Sequence, residues 1–392
     1  MEAIWGRCAH PRTQSRAVLV VALLSLLLIF LFYKQRQPDA PKPNLSATYG
    51  QGNTDSPNKV PPNHHVNTST SLKVVYGATI YWQAQLWKDL MNFTGCEYSN
   101  CVSDNSSTYV GIEKADVVIF AVDYIGSFPQ LSWKVRQNQI WLLITYESSA
   151  YSFNRFRPFV NNQFNGTFTF KTDSTIYYPW GKTIPITHPI PYSINFAENK
   201  TKGAFGYISN CESLNYDRLA TIDILSKYID IDVFGKCKGL PTPCVNLRKG
   251  GNPVCETQAH RPYRFFLSFE NSLCKDYITE KFWDRLGSPS YFVPIAMGGL
   301  TVKEYTSVAP TDSFLHVYNF TSVHKLGKYL KYLMTNDDAY NKYHYWRYNY
   351  EVTTDRNIAA CQLCKMANEK PHLPAIARLD QWFNDDANCR NY

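Results

Sequence analysis

The chain has 392 residues, of which 44% are hydrophobic and 18% are charged, a composition typical of a globular protein long enough for two domains. The formal net charge of +8 is spread along the sequence, and no run of Lys and Arg marks a nucleic-acid-binding surface. Length and charge therefore indicate a globular protein and exclude a nucleic-acid partner.

The N-terminal region contains one long apolar run, Ala17 to Tyr33 ("AVLVVALLSLLLIFLFY"), behind a tail at 1–16 that carries arginines. This run is at the short end for a bilayer span. A cleaved signal peptide is the alternative, but no small-residue cleavage site follows the run. We predict an uncleaved signal anchor at 17–33, a cytosolic tail at 1–16, and a Pro-, Asn- and Ser-rich flexible stem at 34–71.

Sequons and cysteines favour a lumenal location for the rest of the chain. Ten of the eleven cysteines follow the apolar run, as expected for disulfides in an oxidising compartment. Seven N-x-S/T sequons predict N-glycosylation, although some arise by chance; they begin at Asn44, Asn67, Asn92, Asn105, Asn165, Asn199 and Asn319.

From Leu72 onward, buried-type strands alternate with helices, which predicts an α/β fold. We expect two similar α/β halves facing a cleft, an N-terminal domain at 72–198 and a C-terminal domain at 199–350, followed by a tail at 351–392. Helices are predicted over Tyr216–Ile229, Asp276–Leu286 and Val323 to about Tyr345. The predicted strands are "KVVYGATIYW", "DVVIFAVDY", "IWLLITYE", "GAFGYIS", "IDVFG", "YRFFLSF", "YFVPIAM" and "SFLHVY".

In the first half, Glu147 directly follows the apolar strand "IWLLIT". A carboxylate at the carboxyl end of a buried strand faces the cleft, where it can act as a general base. A capping or solvated glutamate is the alternative.

Two predicted helices in the second half begin with cationic side chains. On Asp276–Leu286, one flank carries Tyr277, Glu280 and Lys281, close to a helix N-terminus that attracts anions. On Tyr216–Ile229, Arg218 projects into the apolar stripe in the first turn. Together they predict a nucleotide-diphosphate site. The alternatives are a solvated charged face for the first helix and a structural Arg–Asp pair for the second.

Two further patterns have structural explanations. The D-x-D pair Asp230 and Asp232 leads straight into a strand, so one aspartate is expected to cap the preceding helix rather than bind metal. Cys361 and Cys364 resemble a zinc half-site, but a lumenal location favours disulfides. No metal site is predicted.

The stretch "YRFFLSFENSLCKDYITEKFW…YFVPIAMG" closely resembles the donor-binding motif of the α1,3/4-fucosyltransferases, glycosyltransferase family 10. "YESSAYSF" with "FNGTFTFKTDSTIYYPWG", and the block beginning "GYISNCESLNYDRLATIDIL", resemble further family segments. The resemblance extends from about Leu72 to the C-terminus.

The resemblance implies a type II Golgi membrane enzyme with two Rossmann-like domains in the GT-B arrangement. It would transfer L-fucose from GDP-β-L-fucose to a GlcNAc 3-hydroxyl with inversion. By matching position, Glu147 would be the base, and Arg218 and Lys281 would bind the diphosphate. Asn271, Tyr277 and Glu280 would hold the donor, and Ser209, Asn210 and Val233 would line the nucleotide pocket. No tightly bound cofactor is expected, and stimulation by Mn or Mg stays open.

Departures from the family pattern concern the acceptor half. The His-His-Arg-rich segment of Lewis-type members is absent near "FAVDYIG", and Ser148 to Tyr151 replaces the usual Ser-Pro pair. Core chitobiose GlcNAc of N-glycans therefore stands beside antennal LacNAc or LacdiNAc as the acceptor. A non-catalytic Golgi carbohydrate- or nucleotide-binding protein, or another nucleotide-sugar transferase, is the alternative function.

Overall fold

The computed structural model describes residues 71–77, 92–105, 112–121, 139–152, 160–211, 217–241, 243–244, 253–299, 301–355, 357–384 and 389. The predicted cytosolic tail, the signal anchor and all of the stem before residue 71 lie outside these residues, as do the sequons at Asn44 and Asn67. None of the helices in the described part of the chain has the length and apolar character needed to cross a membrane.

The predicted α/β class is confirmed, and each predicted strand overlaps an observed one. The strands are β1 Lys73–Gly77, β2 Cys101–Asn105, β3 Val117–Ala121, β4 Ile140–Thr145, β5 Gly166–Thr169, β6 Ile176–Tyr177, β7 Lys182–Pro185, β8 Lys202–Tyr207, β9 Ile231–Phe234, β10 Tyr263–Phe269, β11 Val293–Met297, β12 Leu315–His316 and β13 Tyr350–Thr353. The α-helices are α1 Ser149–Ser152, α2 Arg218–Leu225, α3 Pro253–His260, α4 Glu280–Leu286, α5 Val302–Val308, α6 Val323–Thr335, α7 Asp337–Asn341, α8 Asn357–Glu369 and α9 Leu379–Asn384. Short 3-10 helices cover Ile112–Lys114, Val317–Asn319 and Lys342–Tyr348.

The first sheet is parallel, with strand order β2-β1-β3-β4-β5-β6. Both of its faces are covered, because alternate residues of β3 enter different cores. Val117 and Ile119 belong to one hydrophobic cluster, and Val118 and Phe120 belong to another. A strand buried on both faces reads as a continuous apolar run, which explains why β3 was visible in the sequence.

The second sheet is also parallel, with order β12-β11-β10-β8-β9. Its main core joins β8, β10 and β11 to the apolar sides of α2 and α6. A two-stranded antiparallel sheet of β7 and β13 lies where the chain enters and leaves this part of the fold. Because parallel strands point the same way, their carboxyl ends place the following loops along one edge of each sheet.

The C-terminal segment is part of the first sheet's core rather than a separate tail. Buried residues of α8 complete one of its hydrophobic clusters, and Leu379 and Phe383 of α9 complete the other. The disulfides expected of Cys361 and Cys364 are present, since Cys361 pairs with Cys96 and Cys364 pairs with Cys101. The C-x-x-C pattern is thus a pair of disulfide cysteines.

The predicted helices are shorter than expected because polar side chains cap them. The helix predicted from Tyr216 begins at Arg218, where Asp217 accepts from the Ala220 amide at 2.9 Å, and it ends at Leu225. The long helix predicted from Val323 ends at Thr335, and Asn336 caps the next one.

The helix predicted from Asp276 begins only at Glu280, with Thr279 as its N-cap. Asp276 has a left-handed backbone (φ 62°), and its carboxylate accepts from the amide and the hydroxyl of Thr172 at 3.0 and 2.8 Å. Tyr277 therefore lies in the loop before the helix and not on its first turn.

Candidate active site

The candidate site forms where the loop after β4 meets the loop after β10. Glu147 lies two residues beyond β4, and its amide donates to the Thr145 hydroxyl at 3.3 Å. Its carboxylate oxygen Oε2 accepts from the Tyr277 hydroxyl at 3.2 Å and from Asn271 Nδ2 at 3.5 Å. A hydrogen bond of 2.5 Å between the hydroxyls of Ser148 and Ser272 supports the same contact. The structure thus brings Glu147, Asn271 and Tyr277 together.

Tyr277 is held as a hydrogen-bond donor to Glu147. Its side chain is almost fully buried and packs edge-on against Phe170, with ring centroids 5.2 Å apart. Burial, and then the negative charge of Glu147, raises the pKa of Tyr277 well above its usual range. The hydroxyl therefore keeps its proton and fixes the orientation of the carboxylate.

Lys281 lies in a charged cluster at the start of α4. Its ammonium is 3.3 Å from Oε2 of the buried Glu270 and 3.0 Å from Oε1 of Glu280. Burial by itself lowers the pKa of Lys281, but Glu270 and Glu280 together raise it above its usual value. Lys281 thus stays charged, although two carboxylates already pair with it. Sequence reasoning placed a cation here and missed its buried partner.

Glu270 holds the helix start as well as the lysine. Its two carboxylate oxygens accept from the Thr279 amide and the Thr279 hydroxyl, both at 2.7 Å. Burial raises the pKa of Glu270, and Lys281 acts in the opposite direction. The signal for Glu270 was available in the sequence, because it is a carboxylate directly after the buried strand β10.

Arg218 is the first residue of α2 and is only 4% exposed. Its Nη2 donates to the backbone carbonyl of Asn210 at 2.5 Å, in the loop after β8. The Asn210 side chain in turn donates to the hydroxyl of Tyr151 at 2.5 Å. Sequence reasoning missed Tyr151, which lies four residues after Glu147.

The remaining candidates lie apart from this hydrogen-bond network. Ser209 is exposed in the loop after β8, where its hydroxyl lies over Gly235. Val233 is 3% exposed and packs in the core of the second sheet, because strand β9 turns it inward.

Sequence comparison identifies the family to which this arrangement belongs. The model described as "Glycosyltransferase family 10 (fucosyltransferase) C-term" matches residues 197–382, and "Fucosyltransferase, N-terminal" matches residues 77–181. This chain belongs to the family 10 fucosyltransferases. The match to the N-terminal family model covers Glu147, and the match to the C-terminal family model covers Arg218 and Lys281.

Relatives of this fucosyltransferase are named as α1,3-enzymes. Alpha-(1,3)-fucosyltransferase fut-5 of Caenorhabditis elegans is 33% identical over 59% of this chain and 62% of its own length. The fut-6 enzyme of the same organism is 26% identical over 100% of this chain and 98% of its own. Glycoprotein 3-alpha-L-fucosyltransferase A of Drosophila melanogaster is 29% identical over 83% of this chain and 62% of its own. The chain thus belongs to a family whose named members are α1,3-fucosyltransferases, and it spans less than two thirds of fut-5.

A solved structure gives a more distant likeness. A crystal structure of an α1,3-fucosyltransferase with GDP superposes with a TM-score of 0.45 at 14% identity, over 78% of this chain and 93% of the other.

A disulfide joins the donor-motif loop of this fucosyltransferase to its C-terminus. Cys274, between Asn271 and Tyr277, pairs with Cys389. The Sγ of Cys389 lies 2.9 Å from the hydroxyl of Ser149, two residues after Glu147. The C-terminal segment therefore supports both loops that form the site.

Asp232 of the D-x-D pair makes hydrogen bonds within the second sheet. Asp232, on the edge strand β9, accepts from Lys202 Nζ at 3.2 Å and from the Tyr263 hydroxyl. The predicted helix cap is wrong, because Ser226 ends α2 before Asp230 is reached. Among the described residues, no group of three His, Cys, Asp or Glu side chains could hold a metal ion.

The described sequons differ in their surroundings. Asn92, Asn199 and Asn319 are exposed. The Asn165 amide is used within the fold: its oxygen accepts from the Trp141 amide at 2.9 Å, and its nitrogen donates to the Leu373 carbonyl at 2.8 Å. Asn105 is the last residue of β2.

Proposed function

We propose that this enzyme transfers L-fucose from GDP-β-L-fucose to the 3-hydroxyl of a GlcNAc residue in an N-glycan, with inversion at the fucose C1. The observation that carries the proposal is the contact of Glu147 with Asn271 and Tyr277 of the donor motif. It joins a carboxylate on the first sheet to a loop of the second sheet. Such a pairing suits a base on one side of a cleft and a nucleotide sugar on the other, in a two-domain GT-B arrangement.

In the proposed reaction, the Glu147 carboxylate takes the proton of the acceptor hydroxyl while that oxygen bonds to C1 of fucose. The bond between C1 and the phosphate oxygen breaks, and its electron pair leaves with GDP. Inversion follows because the acceptor attacks from the face opposite the leaving group. Asn271 and Tyr277 orient the carboxylate, which lowers the entropic part of the barrier.

The departing GDP gains negative charge, which fixed cations stabilise more in the transition state than in the ground state. We assign this role to Arg218 and Lys281. Because two carboxylates pair with Lys281, it contributes less than an unpaired ammonium would. Glu280 is assigned to the donor's ribose or fucose hydroxyls, and Ser209, Asn210 and Val233 to the nucleotide pocket.

The acceptor is proposed to be N-glycan GlcNAc, either of the core chitobiose or of a LacNAc or LacdiNAc antenna. A glycoprotein acceptor is supported by the name of the Drosophila relative, a glycoprotein 3-α-L-fucosyltransferase. We further propose Golgi residence as a type II membrane protein anchored by Ala17 to Tyr33, on the apolar run and the sequons.

The test is incubation of the purified chain with GDP-fucose and a panel of N-glycans, followed by mass spectrometry that locates any new fucose. We expect wild type to add fucose to a GlcNAc 3-hydroxyl. Glu147→Gln should reduce turnover at least about 10³-fold and leave GDP affinity within about twofold, because it removes the base and keeps the shape. Turnover that survives in Glu147→Gln, or no transfer by wild type to any GlcNAc acceptor, would contradict the proposal.

A further inference from the structure

Tyr151 links the turn that carries Glu147 to the buried guanidinium of Arg218. It lies on the short helix α1, and its amide donates to the Ser148 carbonyl at 3.1 Å, so it is fixed close to Glu147 along the chain. Its hydroxyl accepts from Asn210 Nδ2 at 2.5 Å, across the boundary between the two sheets. One side chain of the base-bearing turn thus contacts the loop after β8.

The same asparagine holds Arg218 through its backbone. The Asn210 carbonyl accepts from Arg218 Nη2 at 2.5 Å. Asn210 itself is exposed, and the disulfide of the next residue, Cys211, with Cys237 holds the chain on one side of its peptide group; the hydrogen bond to Tyr151 restrains its side chain. The order of contacts is therefore Tyr151 hydroxyl, Asn210 side chain, Asn210 carbonyl and Arg218 guanidinium.

The charges of Glu147, Arg218 and Lys281 all act on the Tyr151 hydroxyl. Burial raises the pKa of Tyr151 and is the largest effect; Arg218 and Lys281 lower it, and Glu147 raises it. The net direction is upward, so the hydroxyl is neutral near neutral pH and acts through hydrogen bonds. A neutral group in this position can orient a cation without cancelling its charge.

We propose that Tyr151 is a positioning residue for the leaving diphosphate: by restraining Asn210, it holds the Arg218 guanidinium in the orientation that meets the diphosphate. The proposal rests on the proposed function, because it takes Arg218 as the diphosphate ligand. An arginine side chain has several rotatable bonds, and orientation set before binding saves the entropy of ordering it. Loss of the Tyr151 hydroxyl should then weaken recognition of the β-phosphate in particular.

The experiment measures GDP and GMP binding to the purified full chain by calorimetry, for wild type and Tyr151→Phe. One neutral hydrogen bond corresponds to roughly a 2- to 10-fold change in affinity. We expect GDP affinity to fall within that range and GMP affinity to change by less than about twofold. The kcat/KM for GDP-fucose should fall by a factor similar to that for GDP, and the KM for the acceptor should stay unchanged.

Two further variants separate positioning from a general structural effect. Asn210→Ala removes the same hydrogen bond from its other end and keeps the carbonyl, so the double variant with Tyr151→Phe should be no weaker than either single one. Should Tyr151→Phe fail to fold, Asn210→Ala is measured in its place; because Asn210 is itself assigned to the nucleotide pocket, only the loss of GDP affinity beyond that of GMP is then attributed to the diphosphate. Tyr192→Phe is the control, because Tyr192 is 80% exposed.

Equal losses of GDP and GMP affinity, or no loss of either, would overturn the role of Tyr151 and leave the proposed function standing. Additive effects of Tyr151→Phe and Asn210→Ala would also overturn it. A wild-type chain that binds no GDP would overturn the proposed function and the role of Tyr151 together.

Discussion

Individual residues in the site take their roles from their neighbours. Lys281 reads in the sequence as a free cation at a helix start, yet its ammonium lies between a fully buried carboxylate, Glu270, and a half-exposed one, Glu280. The two carboxylates are chemically alike and differ in burial. Burial decides how much each contributes to stability, because a desolvated ion pair is costly to break and a solvated one is screened.

We expect Glu270→Gln to affect mainly stability and Glu280→Gln to affect mainly donor binding. Glu270→Gln should lower the free energy of unfolding by about 2–4 kcal/mol, because it removes the fully buried partner of the half-buried Lys281. Glu280→Gln should lower it by less than about 1 kcal/mol and weaken GDP-fucose binding. Urea unfolding and donor titration of the matched pair check both. Equal losses of unfolding free energy in the two variants would show that the difference in burial does not make Glu270 contribute more to stability than Glu280.

At the scale of elements, contacts between helices and loops set where each helix lies. Gly327 is buried on the inner side of α6, and a Cβ at this position would overlap the ring of Tyr228, which follows α2. The ordinary preference of a helix for alanine over glycine is therefore reversed here by tertiary packing.

Gly327→Ala should destabilise the protein by about 1–3 kcal/mol, whereas the same change in an open helix stabilises by about 1 kcal/mol. The control is the same substitution in a Tyr228→Ala background. There the ring is gone, and we expect Gly327→Ala to be neutral or stabilising. Thermal or urea unfolding of the four proteins measures the difference, and a loss that persists without the ring would rule out the proposed overlap.

At the scale of the whole molecule, two disulfides bind α8 to the region before and within β2. Cys96–Cys361 and Cys101–Cys364 span 265 and 263 residues of sequence. Either disulfide alone closes almost the same long loop of the chain. When one is already formed, the other closes only a small additional loop. If one of the two disulfides is removed, the other still provides most of the reduction in the conformational entropy of the unfolded chain.

We expect Cys96→Ser/Cys361→Ser and Cys101→Ser/Cys364→Ser each to cost about 2 kcal/mol of unfolding free energy. Removing both pairs should cost more than twice as much, because the loop of more than 260 residues is then open in the unfolded state. Removing Cys244–Cys255, which spans 11 residues, is the comparison for a small loop. Simple additivity of the two large-loop pairs would contradict this account.

Buried histidines predict how the stability of the molecule depends on pH. Burial lowers the pKa of His316 to about 4, and burial together with Arg285 lowers the pKa of His260 to about 4. An unfolded chain protonates histidine near pH 6.5. Between about pH 6.5 and 4 the unfolded state binds more protons, so stability is full above this window and is lost as the pH falls through it.

The measurement is urea unfolding at pH 7 and pH 5 for wild type and His316→Asn. Between pH 7 and pH 5, the free energy of unfolding should fall by about 2 kcal/mol less in the variant than in wild type. The interval from about pH 6.5 to pH 5 is about 1.5 units, which corresponds to that amount for one histidine. His372→Asn, at an exposed position, is the control. An unchanged difference in His316→Asn would show that His316 does not contribute to acid sensitivity.

The sequence alone determined the α/β class, the family and most of the site's residue types. Strands buried on both faces are continuous apolar runs, and the donor motif is a local string of residues, so both can be read without coordinates. Glu147, Arg218 and Lys281 were found because each borders such a strand or opens a helix. Only the tertiary structure decided that Glu270 forms an ion pair with Lys281, that Tyr151 reaches Arg218 through Asn210, that α8 and α9 complete the first sheet's core, and that α4 begins at Glu280. The physical reason is that these features depend on contacts between side chains of different elements, and local patterns carry no information about which partner a side chain meets in the fold.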